Sequence, residues 1–323
     1  MKAYTKTTYG GPQVLKLDEV ARPVTKEGHI SVKVHANSAN PADWHILRGK
    51  PFFARLSYGL FKPKNRVPGA DFSGIVEEVG ANVGQFKVGD RVFGGTLSEG
   101  AFAELKNVPA GMCAMMPENG AFPEMAAVAM AGATALQALI THGKLEKGES
   151  VLINGSSGGV GHLAVQIAKA YGGYVTAVCS SKKVDFVRSL GADQVIAYDR
   201  KNIHKHAGQY DLIIDTHGNL SFDDYQRMGR RGVMVGFTSM KQMMSLIWRK
   251  AFSRFSIAQF TAEPNTADLT TLASLVESGK IKVHIEKIFS YREIPLAISH
   301  IERMKTSGKV AMVWDNPSAK TRQ

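Results

Sequence analysis

Along the first third of the chain, apolar and polar residues alternate with a period of two. Residues 31–36 (Ser-Val-Lys-Val-His-Ala) turn one face towards a core, and residues 74–80 and 87–94 are short runs of the same kind punctuated by glycines. This pattern predicts short strands joined by tight turns, a β-rich, barrel-like module. Near residue 123 the period changes. Residues 123–140 are alanine-rich and helical, and strand-like and helix-like runs then alternate: strands at 150–154, 174–179, 195–197, 211–215 and 232–236, with helices at 158–171, 182–190 and 220–228 between them. Apolar strands separated by helices of about ten residues predict a parallel, doubly wound sheet. After Pro264 the expected order is a helix at 267–278, a strand at 281–289, a helix at 294–305 and a last strand at 309–314. The fold class expected is therefore α/β, with a β-rich domain beside a Rossmann-type domain. No internal repeat is visible.

The most informative stretch follows the strand at 150–154. Gly155, Ser156, Ser157, Gly158, Gly159, Val160 and Gly161 form a glycine turn that opens a helix whose apolar positions, Val160, Leu163, Ala164, Ile167 and Ala168, make one stripe. A glycine triplet alone is weak, but strand, glycine turn and helix in this order fit a dinucleotide site. Gly155 permits the tight turn, Gly158 lets the backbone approach a pyrophosphate, and Gly161 lets helix and strand pack closely. The N–H groups at the helix start attract the phosphates.

The next strand should end where the adenosine ribose lies. In place of the Asp or Glu common in NAD sites the sequence has Cys179, Ser180, Ser181, Lys182 and Lys183. A carboxylate repels a 2′-phosphate, whereas hydroxyls and an ammonium bind it, so the expected cofactor is NADPH, with Ser180 and Lys183 as candidates.

Further motifs occur in one order: Asn40-Pro41-Ala42-Asp43, Pro68-Gly69-Ala70-Asp71-Phe72-Ser73-Gly74, Val88-Gly89-Asp90-Arg91-Val92 and Ala131-Gly132-Ala133-Thr134-Ala135, ahead of the glycine turn. With them the chain resembles the medium-chain dehydrogenases/reductases over nearly its whole length, and within them the zinc-free quinone oxidoreductase branch. The resemblance implies a GroES-like catalytic domain from residues 1–123 and 264–323, a Rossmann NADP-binding domain from 124–263, and a homodimer. It also implies Asn40 near the nicotinamide ribose, Thr134 beside the nicotinamide, Gly236 and Phe237 near the carboxamide edge, and Tyr198 near the 2′-phosphate. Asn40 and Thr134, with Asp43 and His45 after Asn40, are the candidate catalytic residues, His45 as a proton donor.

Zinc relatives carry Cys and His at the positions of Asn40 and Ala70, and the chain has only Cys113 and Cys179, so no metal site is expected. Without a Lewis acid the easier reaction is hydride delivery to an acceptor that is already electron-poor, a quinone or an α,β-unsaturated carbonyl. An enoyl-thioester or aldehyde reductase is the alternative enzyme; a non-enzymatic NADPH-binding protein associating with RNA or membrane is the alternative outside catalysis. A Tyr-x-x-x-Lys match at Tyr58 and Lys62 precedes the cofactor loop instead of following it and is set aside as chance.

The formal charge of +12 changes the picture once it is located. Residues 48–66 hold six Lys and Arg and residues 239–256 hold four, with no acid in either, and both segments are rich in large apolar side chains. Basic amphipathic segments of this kind suit flaps that admit a lipophilic acceptor and touch an anionic membrane surface; nucleic acid is the less favoured partner. Two cysteines and the lack of a signal-like start predict a cytoplasmic protein.

Overall fold

The computed structural model describes residues 1–314 other than 98–99, 207, 237–243, 246–247 and 250–252. The chain divides into two compact units. The first comprises Met1–Met130, Glu263–Glu277 and the residues from Val283 onward; the second comprises Ala131–Ala262 with the short return Ser278–Lys282. The division falls between Met130 and Ala131, inside helix α3 (Phe122–Leu136) and later than the expected 123, and the helix runs unbroken through the boundary to continue to His142 as a wider π turn. The 21 residues Phe122–His142 are long and apolar enough to cross a membrane, but most of their surface is buried inside the protein, as for a core helix.

In the first unit β1 (Lys2–Thr5) and β2 (Lys16–Glu19) form a hairpin-like pair. A larger sheet runs in the order β14 (Ile285–Ser290), β15 (Lys309–Val313), β3 (His29–Ser38), β4 (Asp71–Val79), β5 (Arg91–Gly95) and β7 (Cys113–Met115), with β6 (Leu105–Pro109) also pairing with β3. Ile30, Val32, Phe72, Phe102 and Met312 are among its core residues. The period-two reading of the sequence is thus correct, but β14 starts four residues later than expected, at Ile285. Helix α1 (Pro41–Arg48) follows β3 directly, the short α2 (Arg55–Tyr58) follows it, and α7 (Thr266–Glu277) and α8 (Ile294–Glu302) close the unit.

The second unit is a six-stranded, wholly parallel sheet ordered β10 (Gln194–Ala197), β9 (Tyr174–Cys179), β8 (Ser150–Asn154), β11 (Tyr210–Asp215), β12 (Gly229–Met234) and β13 (Ser256–Gln259). The chain moves outward one way from β8 and then the other way, so the order reverses between β8 and β11. Ligands bind at such a reversal in doubly wound sheets, outside the carboxyl ends of the strands. Helices α4 (Gly161–Ala170), α5 (Val184–Ser189) and α6 (Phe222–Met228) pack on the strands they connect. Strand β13 was not expected, since its four residues adjoin a basic run that gives no strand pattern.

Candidate functional site: a glycine turn and a buried polar cluster

At the sheet reversal Gly155 leaves β8 with φ +80, a conformation open to glycine at little cost, and a Cβ there would lie 2.6 Å from Thr216 Oγ1. A Cβ on Gly161 would stand 2.1 Å from the Gly155 carbonyl oxygen, so this glycine permits the close packing of helix on turn. Around Gly158 the nearest atom to such a Cβ is the Gly155 oxygen at 3.5 Å, which leaves the room a pyrophosphate needs. Val160 precedes the first residue of α4, so the glycine turn leads directly into the N-terminus of that helix, the end that attracts phosphate. The residues therefore fit a dinucleotide.

One member of the turn has a different task. Ser156 is fully buried, and both its N–H (3.0 Å) and its hydroxyl (2.9 Å) donate to the Val178 carbonyl, so it ties the turn to β9 and is not a phosphate donor. Asp215, at the end of β11, is also fully buried; it accepts from the Gly218 and Leu220 N–H groups at 2.7 and 3.0 Å and from Asn154 Nδ2 at 2.8 Å. Burial pushes its carboxyl up and these donors oppose the rise. The loop facing the glycine turn is thereby held in place. Val235 N–H donates to the Asp215 carbonyl at 2.9 Å, and the neighbouring Gly236 lies so near Thr216 that a Cβ would meet its carbonyl oxygen at 2.8 Å, which places Gly236 at the same reversal. Phe237 lies outside the described residues. Thr134 is buried in α3.

At the end of β9, Tyr198 N–H donates to the Cys179 carbonyl at 3.0 Å, and the Tyr198 side chain is half exposed. The structure adds a group the sequence did not reveal. Asp199 accepts from the Ser181 N–H at 2.8 Å and from its hydroxyl at 2.6 Å, so a carboxylate does stand beside the region expected to take the 2′-phosphate, delivered by β10 instead of β9.

The first unit holds a second cluster, built by strand register. Ser38 at the end of β3 is opposite Asp71 at the start of β4 and opposite Ala311 near the start of β15. Three strand ends therefore bring Asn40, Asp71 and Lys309 together. Asn40 Nδ2 donates to Asp71 at 2.8 Å, Lys309 Nζ donates to Asn40 Oδ1 at 2.6 Å and lies 3.4 Å from Asp71, and the Met130 N–H donates to Asp71 at 3.0 Å. Asn40 N–H in turn donates to the Asp43 carboxylate at 2.7 Å, fixing the first turn of α1. All four side chains are buried. Burial raises Asp71 and lowers Lys309, and each opposes the other's shift. Asp43 is pushed up to about 7, chiefly by burial, with the Asp71 charge adding to the rise.

Asp43 also borders a cavity of about 190 Å³ in this unit, together with Lys6, Ile46, Tyr58, Lys64 and Asn65. His45 and Asn40 are not among its lining residues. His45 stacks on Trp44 with ring centroids 3.6 Å apart and Nδ1 lies 3.2 Å from the Lys50 carbonyl. Burial lowers its pKa and so disfavours the imidazolium a proton donor requires. Tyr58, set aside from the sequence, lines the cavity, whereas Lys62 is exposed. His204 and His206, the nearest approach to a paired histidine motif, serve different partners, Asp224 and Tyr210. They lie in a short 3₁₀ turn and not an open loop. Among the described residues no three His, Cys, Asp or Glu side chains converge as metal ligands would.

The reversed parallel sheet with its glycine turn defines a dinucleotide-binding protein of the doubly wound class, joined to a β-rich unit. Residues 26–138 match the family described as alcohol dehydrogenase GroES-like domain, and residues 190–312 the family described as zinc-binding dehydrogenase. The chain is 33% identical to a 2-methylene-furan-3-one reductase of Solanum lycopersicum, over 97% of this chain and 79% of that protein. It is 32% identical to an NADPH-dependent alkenal/one oxidoreductase of Arabidopsis thaliana, chloroplastic, over the same shares. The solved structure of the quinone oxidoreductase from Coxiella burnetii superposes with a TM-score of 0.85 at 30% identity, covering 97% of this chain and 99% of that one. The chain belongs to the quinone oxidoreductase branch of the medium-chain dehydrogenases/reductases.

Proposed function

We propose that the chain is an NADPH-dependent oxidoreductase that delivers hydride to an electron-poor acceptor, a quinone or an α,β-unsaturated carbonyl. The observation that carries this reading is the glycine turn at the sheet reversal, with open room at Gly158 and close packing at Gly161. Bound NADPH supplies the hydride. The chain's own residues then have three tasks: the turn Gly155–Gly161 with Ser157, Gly159 and Val160 holds the pyrophosphate; Ser180, Lys183 and Tyr198 take the 2′-phosphate; Thr134, Gly236, Phe237 and Asn40 orient the nicotinamide end. The acceptor class follows the names of the relatives, a furanone reductase, an alkenal/one oxidoreductase and a quinone oxidoreductase.

Catalysis without zinc is part of the proposal. Asn40 carries no thiolate or imidazole, its amide is engaged by Asp71 and Lys309, and Ala70 offers no ligand. Full activity after dialysis against a chelator is the expected result; loss of activity restored by zinc would overturn it. The main test is NADPH oxidation followed at 340 nm against quinones, alkenals, enoyl thioesters and aldehydes, with NADH in parallel. Turnover of quinones or alkenals with NADPH is expected. Turnover confined to thioesters or aldehydes would favour the alternative enzyme, and NADPH binding without any turnover would favour a non-enzymatic role.

A lipophilic acceptor and an anionic membrane surface agree with segment 48–66. Phe61 is 90% exposed and Phe52 and Leu56 stand out beside exposed Lys62, Lys64 and Arg66, so these apolar side chains are not packed into the unit. Segment 239–256 lies mostly outside the described residues, and one of its cations, Arg249, is paired with Asp223. Sedimentation with anionic liposomes at low salt should carry the protein down. A homodimer, which the family resemblance implies, and a reducing cytoplasm, which suits two buried free thiols, complete the reading; sedimentation velocity and cell fractionation test them.

A further inference from the structure

We propose that Lys6 is the proton donor of the acceptor site, protonating the oxygen of a quinone or enone bound in the cavity of the first unit; this rests on the reading of the chain as a hydride-transferring reductase. Lys6 follows β1, and its N–H donates to the Arg66 carbonyl at 2.8 Å, which pins it against the loop that walls the cavity. The residue is 2% exposed. Among the described residues its Nζ has one hydrogen-bond acceptor, the Ile46 carbonyl at 3.3 Å, although an ammonium offers three donors. Asp43, across the cavity lining on α1, attracts it through space. A buried cation with donors to spare, bordering a cavity, is costly unless an anion or a developing anion meets it there.

The cavity suits the partner. At about 190 Å³ it exceeds the roughly 150 Å³ that accommodates a benzene ring, so one quinone ring or a short enone fits. Hydride addition to the β-carbon of an enone, or to a quinone, moves an electron pair onto the acceptor oxygen. The Nζ–H bond then breaks and an O–H bond forms, leaving a neutral amine, which regains a proton from water or from Asp43. Overall NADPH, one proton and the acceptor give NADP⁺ and the reduced acceptor. Burial lowers Lys6 to about 8 and Asp43 opposes the shift, which puts the group in the range a donor near neutral pH needs. The other titratable groups around it are Tyr9, whose ring centroid is 5.8 Å from Nζ, Tyr58 on α2, and Lys64 and Arg66 of the loop.

The experiment compares wild type with Lys6→Met and Lys6→Arg. The first readout needs no cofactor: 4-nitrophenol, whose colour reports its ionisation, is titrated with each protein. Wild type and Lys6→Arg should lower the apparent pKa of the bound probe by about one unit, and Lys6→Met should not. The second is the pH profile of kcat/KM. Wild type should decline above about pH 8 as Lys6 loses its proton, and Lys6→Met should fall about a hundredfold and lack that limb, with NADPH affinity unchanged. Lys6→Arg, which keeps the charge but holds its proton, should also lack the limb, and it carries the test if Lys6→Met does not fold. Variants with wild-type kcat/KM and an unchanged alkaline limb, or with an unchanged probe response in Lys6→Met, would overturn the proposal. No turnover of any acceptor by wild type would instead overturn the reductase reading on which it rests.

Discussion

Lys309 donates to the side-chain carbonyl of Asn40 at 2.6 Å, while the amide nitrogen of Asn40 donates to Asp71 at 2.8 Å. Cation and carboxylate are thus bridged by an amide, and the orientation of that amide is determined: its oxygen faces the ammonium and its nitrogen faces the carboxylate. Lys309 and Asp71 together depend on that bridge, and it depends on them.

The first prediction tests that dependence. Lys309→Met leaves Asp71 as a fully buried carboxylate without its cation and frees Asn40 Oδ1, so it should cost on the order of 3 kcal/mol in urea unfolding. Removing both charges, as Lys309→Met with Asp71→Leu, should recover much of that loss, because neither ion is then stranded. A double variant as unstable as the single one would contradict this account.

The glycine turn gives a second prediction with two separable outcomes. Gly158→Ala places its methyl 3.5 Å from the nearest atom, so the protein should fold with wild-type stability yet bind NADPH at least tenfold more weakly, the methyl occupying the pyrophosphate's approach. Gly161→Ala places its methyl 2.1 Å from a backbone oxygen and should lose stability as well as binding. Thermal melts with calorimetric NADPH titration would reveal both effects.

Much of this was legible in the sequence, for identifiable reasons. Apolar strands at 150–154, 174–179 and 211–215 with a glycine turn behind the first of them announce the reversed sheet, since period and turn chemistry are local. The polar cluster was harder to see. Asp71 and Lys309 each open an apolar strand, which marks them as odd, but only the register of β3 against β4 and β15 brings them to Asn40. Lys6 sits in the polar run Thr5-Lys6-Thr7-Thr8, where nothing local signals burial. Asp199 is not legible as a member of this region, because a ribose-binding carboxylate is expected at the end of β9 and this one arrives after β10. Ser156 looks in sequence like any other residue of the turn, and only the fold shows its hydroxyl facing the Val178 carbonyl.

The third prediction concerns stability against pH. Asp43 has its pKa raised from 3.8 to about 7, so the native state holds its proton more tightly than the unfolded chain does. The stabilisation this gives is complete below about pH 4 and is lost as pH rises through about 7. Asp71 and Asp215 are raised too and act with the same sign, so the difference between two proteins is the useful quantity. Asp43→Asn keeps an acceptor for the Asn40 N–H and removes the titration. Relative to wild type it should become steadily more stable from pH 4.5 to pH 7.5, measured by urea unfolding; a constant difference would show that Asp43 ionises normally.

The last prediction concerns the choice between the two nicotinamide dinucleotides. Ser180, Lys183 and Tyr198 are the groups proposed to take the 2′-phosphate, and Asp199, bonded to Ser181 and next to Tyr198 in sequence, has its carboxyl held below the usual range by the Ser181 hydroxyl and N–H, so it is ionised at neutral pH. An ionised carboxylate repels a 2′-phosphate and accepts from the ribose hydroxyls of NADH. Asp199→Asn retains an acceptor for Ser181 while removing the charge. NADPH should then bind several-fold more tightly and NADH no more tightly than before, and the gain should shrink in 0.5 M salt because the group is exposed and screened. Serine itself is the internal control. Ser181→Ala removes the hydroxyl but leaves the carboxylate in place, so if the charge governs the choice it should weaken NADPH binding, opposite in sign to Asp199→Asn. Equal changes for both cofactors in Asp199→Asn would mean that Asp199 supports the loop and does not discriminate between them.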